Sequence, residues 1–193
     1  MSLIPIADLV LSEEAVRTSL DEARGGRVLA LDLTGPEALR PFAVAGLVRE
    51  GRTVVAVTAT SREAEKLVAD LGDVMSADAV AYYPSWETLP HERLSPRADT
   101  VGRRLAALRR LKHPDGTPIQ VLVTTVRSIL QPQVKGLADL EPVWLAPGQS
   151  ADLGDVVRGL VDAAYTRVDL VEKRGEFAVR GGIVDVFPPT EEH

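Results

Sequence analysis

The turn from Thr34 to Leu39 has the position of a phosphate-binding loop. It follows the apolar segment Arg27–Leu33 and opens a predicted helix, as a P-loop does. A working P-loop needs a second glycine, a lysine for the phosphates and a hydroxyl for magnesium. The turn reads Thr34, Gly35, Pro36, Glu37, Ala38 and Leu39. We expect no triphosphate hydrolysis here, whether this is a degenerate P-loop or an ordinary strand-to-helix turn.

A basic segment, Arg93–Lys112, stands out in an acidic protein. It carries seven Lys or Arg residues and one acidic residue, Asp99. Such a segment can bind DNA or an acidic partner, but charge runs are usually solvated helix faces. We favour the solvated face and keep DNA contact as the alternative. The rings of Trp86, Tyr82 and Tyr83 leave the same choice, since they either stack on bases or anchor the loop to the core.

Two arginines stand beside glycine turns near the end of the chain. Arg174 precedes Gly175, and Arg180 precedes Gly181 and Gly182. An arginine beside a rigid turn presents a bidentate fork to a partner carboxylate. Strand ends also carry arginines for solubility alone, so both interpretations stay open.

No catalytic or metal-ligating constellation is evident. The chain has no cysteine, and His91, His113 and His193 lack the spacing of metal ligands. No serine lies in a Gly-x-Ser-x-Gly elbow. We therefore predict neither catalytic residues nor a metal site.

The composition is that of a globular protein with an acidic surface. Of its 193 residues 45% are apolar, and 22 basic against 28 acidic residues leave a net charge of −6. That charge disfavours wrapping of duplex DNA by the whole surface. The sequence has neither a signal peptide nor a membrane-spanning run, and we predict a cytoplasmic protein without membrane contact.

Alternating apolar runs and amphipathic helices predict an α/β domain over residues 1–136. Helices are expected to begin at Ser12, Pro36 and Ser61 and after the proline-rich loop Pro84–Pro96. The predicted strands are Arg27–Leu33, Thr53–Thr58, Ala79–Tyr83 and Ile119–Thr124. This alternation is typical of a parallel sheet that helices cover on both faces.

A smaller α+β domain is predicted over residues 137–193. Asp152 is expected to cap a helix, and Gly181–Gly182 to turn a hairpin. The predicted strands are Val143–Leu145, Thr166–Leu170, Glu176–Arg180 and Ile183–Phe187. The chain stops five residues after Pro188, and we expect the second domain to be truncated.

Two segments carry a specific resemblance. They are Tyr82–Thr100 (YYPSWETLPHERLSPRADT) and Arg174–Pro188 (RGEFAVRGGIVDVFP). Together they resemble the N-terminal region of the Mfd family, the bacterial transcription-repair coupling factors, which is itself similar to the repair helicase UvrB. The resemblance extends over essentially the whole chain and implies a domain 1A with a P-loop-NTPase-like frame, followed by the start of domain 2.

The resemblance also implies a role for the chain. Members of this family are ATP-driven DNA translocases that displace stalled RNA polymerase and recruit UvrA. The motor, with its ATP and magnesium, and the parts that contact polymerase and DNA lie outside this segment, so no cofactor is expected here. The family's P-loop turn is degenerate, as in Thr34–Leu39, whereas that of UvrB is intact.

The resemblance implies UvrA as the partner of this segment. An arginine of the family's R-G motif contacts UvrA, and it matches Arg180. The other UvrA contacts of the family fall after His193. The alternatives are a UvrB-like protein that binds ATP or DNA, and a metabolic α/β enzyme that uses the C-terminal edge of the sheet.

Overall fold

The computed structural model describes residues 3–25, 29–88, 96–114 and 118–189. The chain divides into two compact units, the first formed by Met1–Ser85 with Arg110–Pro132 and the second by Trp86–Arg109 with Gln133–His193. This division runs through the helix Ala98–Lys112, whereas the predicted domain boundary lies after residue 136. The assignment of 1–136 and 137–193 to the family's domains stays a prediction.

The first unit contains a parallel three-stranded sheet, as predicted. Its strands are β1 (Val54–Thr58), β2 (Val80–Tyr83) and β3 (Val121–Thr125). The order is β1-β3-β2, and Val121 of β3 is aligned with Val54 and with Val80. Three of the four predicted strands, Thr53–Thr58, Ala79–Tyr83 and Ile119–Thr124, are therefore confirmed to within two residues at either end.

One face of this sheet is packed against helices. The helices of the unit are α1 (Ile4–Ser12), α2 (Glu14–Arg24), α3 (Arg40–Arg49), α4 (Ser61–Val74) and α6 (Val126–Leu130), with α5 (Ala98–Lys112) divided between the units. The buried core joins α1, α3 and α4 to the sheet through Ala7, Ala45, Ala56, Ala64, Leu71, Val74, Val80, Val121 and Val123. Because small residues dominate, the helices lie close to the strands.

The opposite face of β1 is open, which corrects the prediction of strands covered on both faces. Val55 is 56% exposed and Val57 is 45% exposed, while Ala56 between them is buried. Alternation along a strand puts Ala56 toward the helices and its neighbours on the other side. The apolar run thus gives β1 two apolar faces, and the described residues cover only one of them.

The first predicted strand, Arg27–Leu33, is wrong for its described part. Residues 29–33 form no ladder, and Leu29 and Leu33 are exposed, while Arg27 and Val28 lie outside the described residues. A strand exists only where a neighbouring strand pairs with its backbone, and no strand in the described ranges pairs with this segment. The apolar sequence alone does not create that neighbour.

Three helix starts differ from the prediction by one residue or more. Ser12 ends α1, a helix that the sequence pattern missed, and α2 begins after Glu13. The helix predicted from Pro36 begins at Arg40 as α3, after the 3₁₀ turn Glu37–Leu39.

Thr60, rather than Ser61, caps α4, since its hydroxyl accepts a hydrogen bond from the Glu63 N–H at 3.2 Å. Both residues have a hydroxyl that could cap this helix, and the backbone conformation decided between them.

The second unit is an α+β arrangement, as predicted. Helix α7 (Leu153–Asp162) is capped by Asp152, whose carboxylate accepts from the Asp155 N–H at 3.0 Å. A mixed sheet in the order β4-β5-β6 contains β4 (Thr166–Arg167), β5 (Glu176–Arg180) and β6 (Ile183–Phe187). Strands β5 and β6 form the predicted hairpin, and Gly181 adopts a φ of 61° in its turn.

Two predicted strands of this unit are wrong in whole or in part. Val143–Leu145 is not a strand. Val143 packs on the α7 core, whereas Trp144 is 88% exposed. Thr166–Leu170 shortens to the two residues of β4, parallel to β5. Both segments have strand propensity, but within the described residues only Thr166 and Arg167 have a strand to pair with.

The N-terminal turns of α5 lie against the end of the hairpin. An added Cβ at Gly102 would stand 2.5 Å from the Pro189 Cβ and 3.1 Å from the Pro189 carbonyl carbon. One at Gly175, where φ is 81°, would stand 3.2 Å from the Ala98 Cβ. The two elements therefore approach each other through glycine.

We expect Gly102→Ala to destabilise the second unit by about 1–3 kcal/mol, because the new methyl group overlaps Pro189 and outweighs the better helix propensity of alanine. Gly72→Ala in α4 is the matched control, since its nearest neighbour would be the Ala77 Cβ at 3.8 Å. That variant should gain up to about 1 kcal/mol. Urea unfolding followed by tryptophan fluorescence and circular dichroism measures both. A Gly102→Ala chain as stable as the parent would contradict the close approach.

A carboxylate organises the loop before β5. One oxygen of Glu176 accepts from the Glu172 N–H at 2.9 Å and from the Lys173 N–H at 2.8 Å. These hydrogen bonds favour the charged form and lower the pKa of Glu176 below its ordinary value of 4.5. The stability they contribute is present above pH 4.5 and is lost as the pH falls through the lower pKa of the folded state.

We expect Glu176→Gln to unfold at lower urea concentration than the parent at pH 7, with the difference shrinking as the pH falls below 4.5. The amide removes the charge on which the pH dependence rests. Glu172→Gln, an exposed carboxyl of the same loop, is the control and should show a smaller difference. Unfolding midpoints between pH 7 and about pH 3 test this, and a constant difference across that range would contradict it.

Candidate functional site

The turn Thr34–Leu39 is an exposed connection into α3. All six residues are exposed, and Glu37–Leu39 form a single 3₁₀ turn in which the Leu39 N–H donates to the Pro36 carbonyl at 3.0 Å. No strand precedes it in the described part of the chain, which begins again at Leu29. The strand of the predicted strand-loop-helix frame is thus missing here, although the α/β fold itself is confirmed.

Two carboxylates contact a lysine beside this turn. The Lys66 Nζ of α4 lies 3.9 Å from the Glu37 Oε1 and 2.8 Å from the Asp70 Oδ2. The hydrogen bond and charge of Asp70, with a smaller contribution from Glu37, raise the pKa of Lys66. The ammonium group is therefore paired with two carboxylates, each of which would repel a phosphate.

Hydroxyl groups at the C-terminal edge of the parallel sheet hold the backbone together. The Thr124 hydroxyl donates to the Tyr83 carbonyl at 2.9 Å, and the Ser128 hydroxyl donates to the Pro84 carbonyl at 3.0 Å. Thr58 donates to the Thr60 carbonyl at 2.9 Å. α/β enzymes have their active sites at this edge, but here the hydroxyls donate hydrogen bonds to backbone carbonyls.

The described residues contain no group of His, Asp or Glu side chains arranged to hold a metal ion. In the same ranges no helix is both long and apolar enough to span a bilayer.

Most described arginines of the basic segment make internal contacts. Arg97 pairs with Asp99, with Nε 3.1 Å from Oδ1. Arg109 donates to the Leu140 carbonyl at 3.1 Å, and Arg110 donates to the Asp78 carbonyl. Arg103 is exposed, and Arg93 lies outside the described residues. The predicted picture of a solvated face is thus incomplete, and DNA contact by Arg93–Lys112 stays a prediction.

A buried arginine anchors the P-S-W-E-T motif, residues 84–88. Arg104 of α5 is 1% exposed, with its guanidinium carbon 4.2 Å from the centre of the Trp86 ring and its Nη2 2.5 Å from the Gln133 Oε1. The buried Thr100 hydroxyl donates to the Glu87 carboxylate. Trp86 therefore anchors the loop, as one of its two interpretations predicted, and the charge is stabilised by the ring.

The β5–β6 hairpin has two different faces. Phe177, which is fully buried, packs with Val179, Val184 and Val186 against Val156 and Leu160 of α7. Residues on the other face alternate with these. On that face Ala178 is buried, but near the turn the side chains of Arg180, Ile183 and Asp185 are exposed. We call these three residues the hairpin tip face.

Arg180 lies at the centre of the tip face. It is paired across the strands with Ile183, and its Nη2 lies 3.7 Å from the Asp185 Oδ2. The side chains of Arg180 and Asp185 are 58% and 51% exposed. Arg174, the other arginine singled out, has its guanidinium carbon 5.8 Å from the centre of the Phe187 ring, at the base of the hairpin rather than at its tip.

Sequence reasoning missed two members of the tip face and the buried Arg104. Asp185 and Ile183 could have been found, because residues two apart in a strand share a face and the Gly181–Gly182 turn sets the register. Arg104 gave no such signal, since it lies among exposed arginines in the sequence and only packing buries it.

Comparisons with known proteins agree with the two-part organisation. The family model described as the UvrB interaction domain matches residues 143–193. The transcription-repair-coupling factors of Mycobacterium bovis and Mycobacterium tuberculosis are each 53% identical over 98% of the chain. That of Myxococcus xanthus is 36% identical over 88% of the chain.

The chain spans a small part of these relatives. It covers 16% of the two mycobacterial proteins and 15% of the one from Myxococcus xanthus. Because the mycobacterial match covers 98% of the chain, it takes in residues of both compact units. The family predicted from these motifs is confirmed: the chain belongs to the transcription-repair-coupling factors.

Proposed function

We propose that this chain is the module with which a transcription-repair coupling factor docks UvrA, and that it carries out no nucleotide chemistry of its own. The observation that carries the proposal is the exposed Arg180 on the tip face of a hairpin that lies within the match to the UvrB interaction domain. Translocation on DNA and contact with RNA polymerase would belong to the parts of the factor that this chain does not span.

The surroundings of Arg180 suit a docking role. The hairpin is anchored through Phe177 on its inner face, so the outward direction of Arg180 follows from strand alternation. Its contact with Asp185 is a long, exposed ion pair, and such pairs contribute little stability. The guanidinium can therefore exchange that carboxylate for one on a partner at small cost.

The Thr34–Leu39 turn supports the non-catalytic part of the proposal. Glu37 occupies the turn, and the nearby Lys66 is paired with Glu37 and Asp70. A triphosphate would have to approach both carboxylates to reach the ammonium group of Lys66. The turn also lacks a second glycine, which would let the backbone come close to a phosphate.

We expect Arg180→Ala to weaken the binding of purified UvrA by at least about 30-fold, because an interfacial charge that loses its partner costs about 2–5 kcal/mol. Arg158→Ala is the matched control, since Arg158 is an exposed arginine paired with Asp155 on α7. It should leave the affinity unchanged. Biolayer interferometry with immobilised chain measures both variants. Equal affinities of parent and Arg180→Ala would remove Arg180 from the interface.

We further expect calorimetric titration with Mg-ATP to show no binding tighter than about 1 mM, and no phosphate release by the purified chain. UvrB, whose P-loop is intact according to the resemblance described above, serves as the positive control. A submillimolar dissociation constant that Glu37→Arg strengthened would show that the turn does hold phosphate.

A further inference from the structure

The hairpin tip face combines two opposite charges with an apolar side chain. Arg180 and Ile183 are directly opposite each other, and Asp185 follows two residues later on the same side of β6. Ile183 is 65% exposed. A single exposed isoleucine needs no explanation, but here it lies beside an ion pair whose nearest atoms are 3.7 Å apart.

Among the described residues of this face, those nearest the turn are the most exposed. Ala178, on the same face and two residues before Arg180, is 1% exposed. The inner face is covered by α7. A partner that reaches this side of the hairpin therefore meets Arg180, Ile183 and Asp185 together.

The ion pair gives the tip face a direction. Arg180 lies on β5 and Asp185 on β6, so the strands give the positive and negative ends defined places on the hairpin. A partner with matching charges fits in one orientation, and in the reverse orientation like charges would meet. Such polarity contributes to specificity more than to raw affinity.

We propose that Asp185 and Ile183 are recognition residues of the same docking surface as Arg180. On this proposal UvrA presents a carboxylate to Arg180, a cation to Asp185 and an apolar side chain to Ile183. The inference rests on the proposed UvrA docking and adds the chemistry and orientation of the partner surface.

The decisive experiment exchanges the two charges. The double variant Arg180→Asp, Asp185→Arg retains an ion pair across the hairpin but reverses its direction. We expect it to melt like the parent and to bind UvrA at least about threefold more weakly than Arg180→Asp alone, because the new arginine at 185 then faces the partner cation. Binding no weaker than that of Arg180→Asp alone would mean that Asp185 serves only the hairpin, and would overturn the proposal.

Single variants separate the two added residues. Asp185→Asn should weaken binding about three- to tenfold and reduce its dependence on salt, because one interfacial charge is lost, and Asp185→Glu should restore both. Ile183→Thr should weaken binding to a similar extent with the salt dependence unchanged, and Ile183→Val should restore it. Unchanged binding by both Asp185→Asn and Ile183→Thr would overturn the assignment.

The controls distinguish this inference from the proposed function. A parent chain that does not bind UvrA overturns the docking proposal, and the inference with it. A parent that binds, with Arg180→Ala weakened but the exchanged pair no weaker than Arg180→Asp alone, overturns the inference alone. Sedimentation of the parent tests the other occupant: a dimer that Arg180→Ala disperses would assign the tip face to a second copy of the chain, against the proposal.

Discussion

The burial of Phe177 is the constraint on which the candidate site depends. Its ring is fully buried against α7, in the central strand of the β4-β5-β6 sheet. Because side chains alternate along a strand, burying residue 177 points residue 180 to the other face. A shift of one residue in the hairpin register would turn Arg180 inward and expose the apolar set. The packing of one aromatic ring therefore decides that the arginine is available to a partner.

The buried Arg104 gives the P-S-W-E-T motif a structural role. A guanidinium in the protein interior is costly unless its charge is stabilised, and the Trp86 ring and the Gln133 side chain oxygen are both in contact with it. The motif thus organises a loop around a helix.

Secondary structure was predictable wherever local pattern and pairing agreed. Strands β1, β2, β3, β5 and β6 were each found, because apolar runs between turn residues coincide with ladders. The strand predictions are wrong at residues 29–33 and 143–145 for one reason: apolar residues favour burial, whereas a strand also needs a neighbour to hydrogen-bond with. The open face of β1 has the same origin, since its sequence records two apolar faces and the described residues cover only one.

By itself the sequence determined the family, the α/β and α+β character of the two parts, and the poor chemistry of Thr34–Leu39, because these depend on residue identity and short-range pattern. Tertiary structure alone decided that Arg104 is buried, that Lys66 is paired beside the turn, and that Asp185 and Ile183 accompany Arg180 on one face. Each of these joins residues from different elements or opposite strands. Such contacts arise only when hydrophobic burial has brought the backbone segments together, and no local pattern records them.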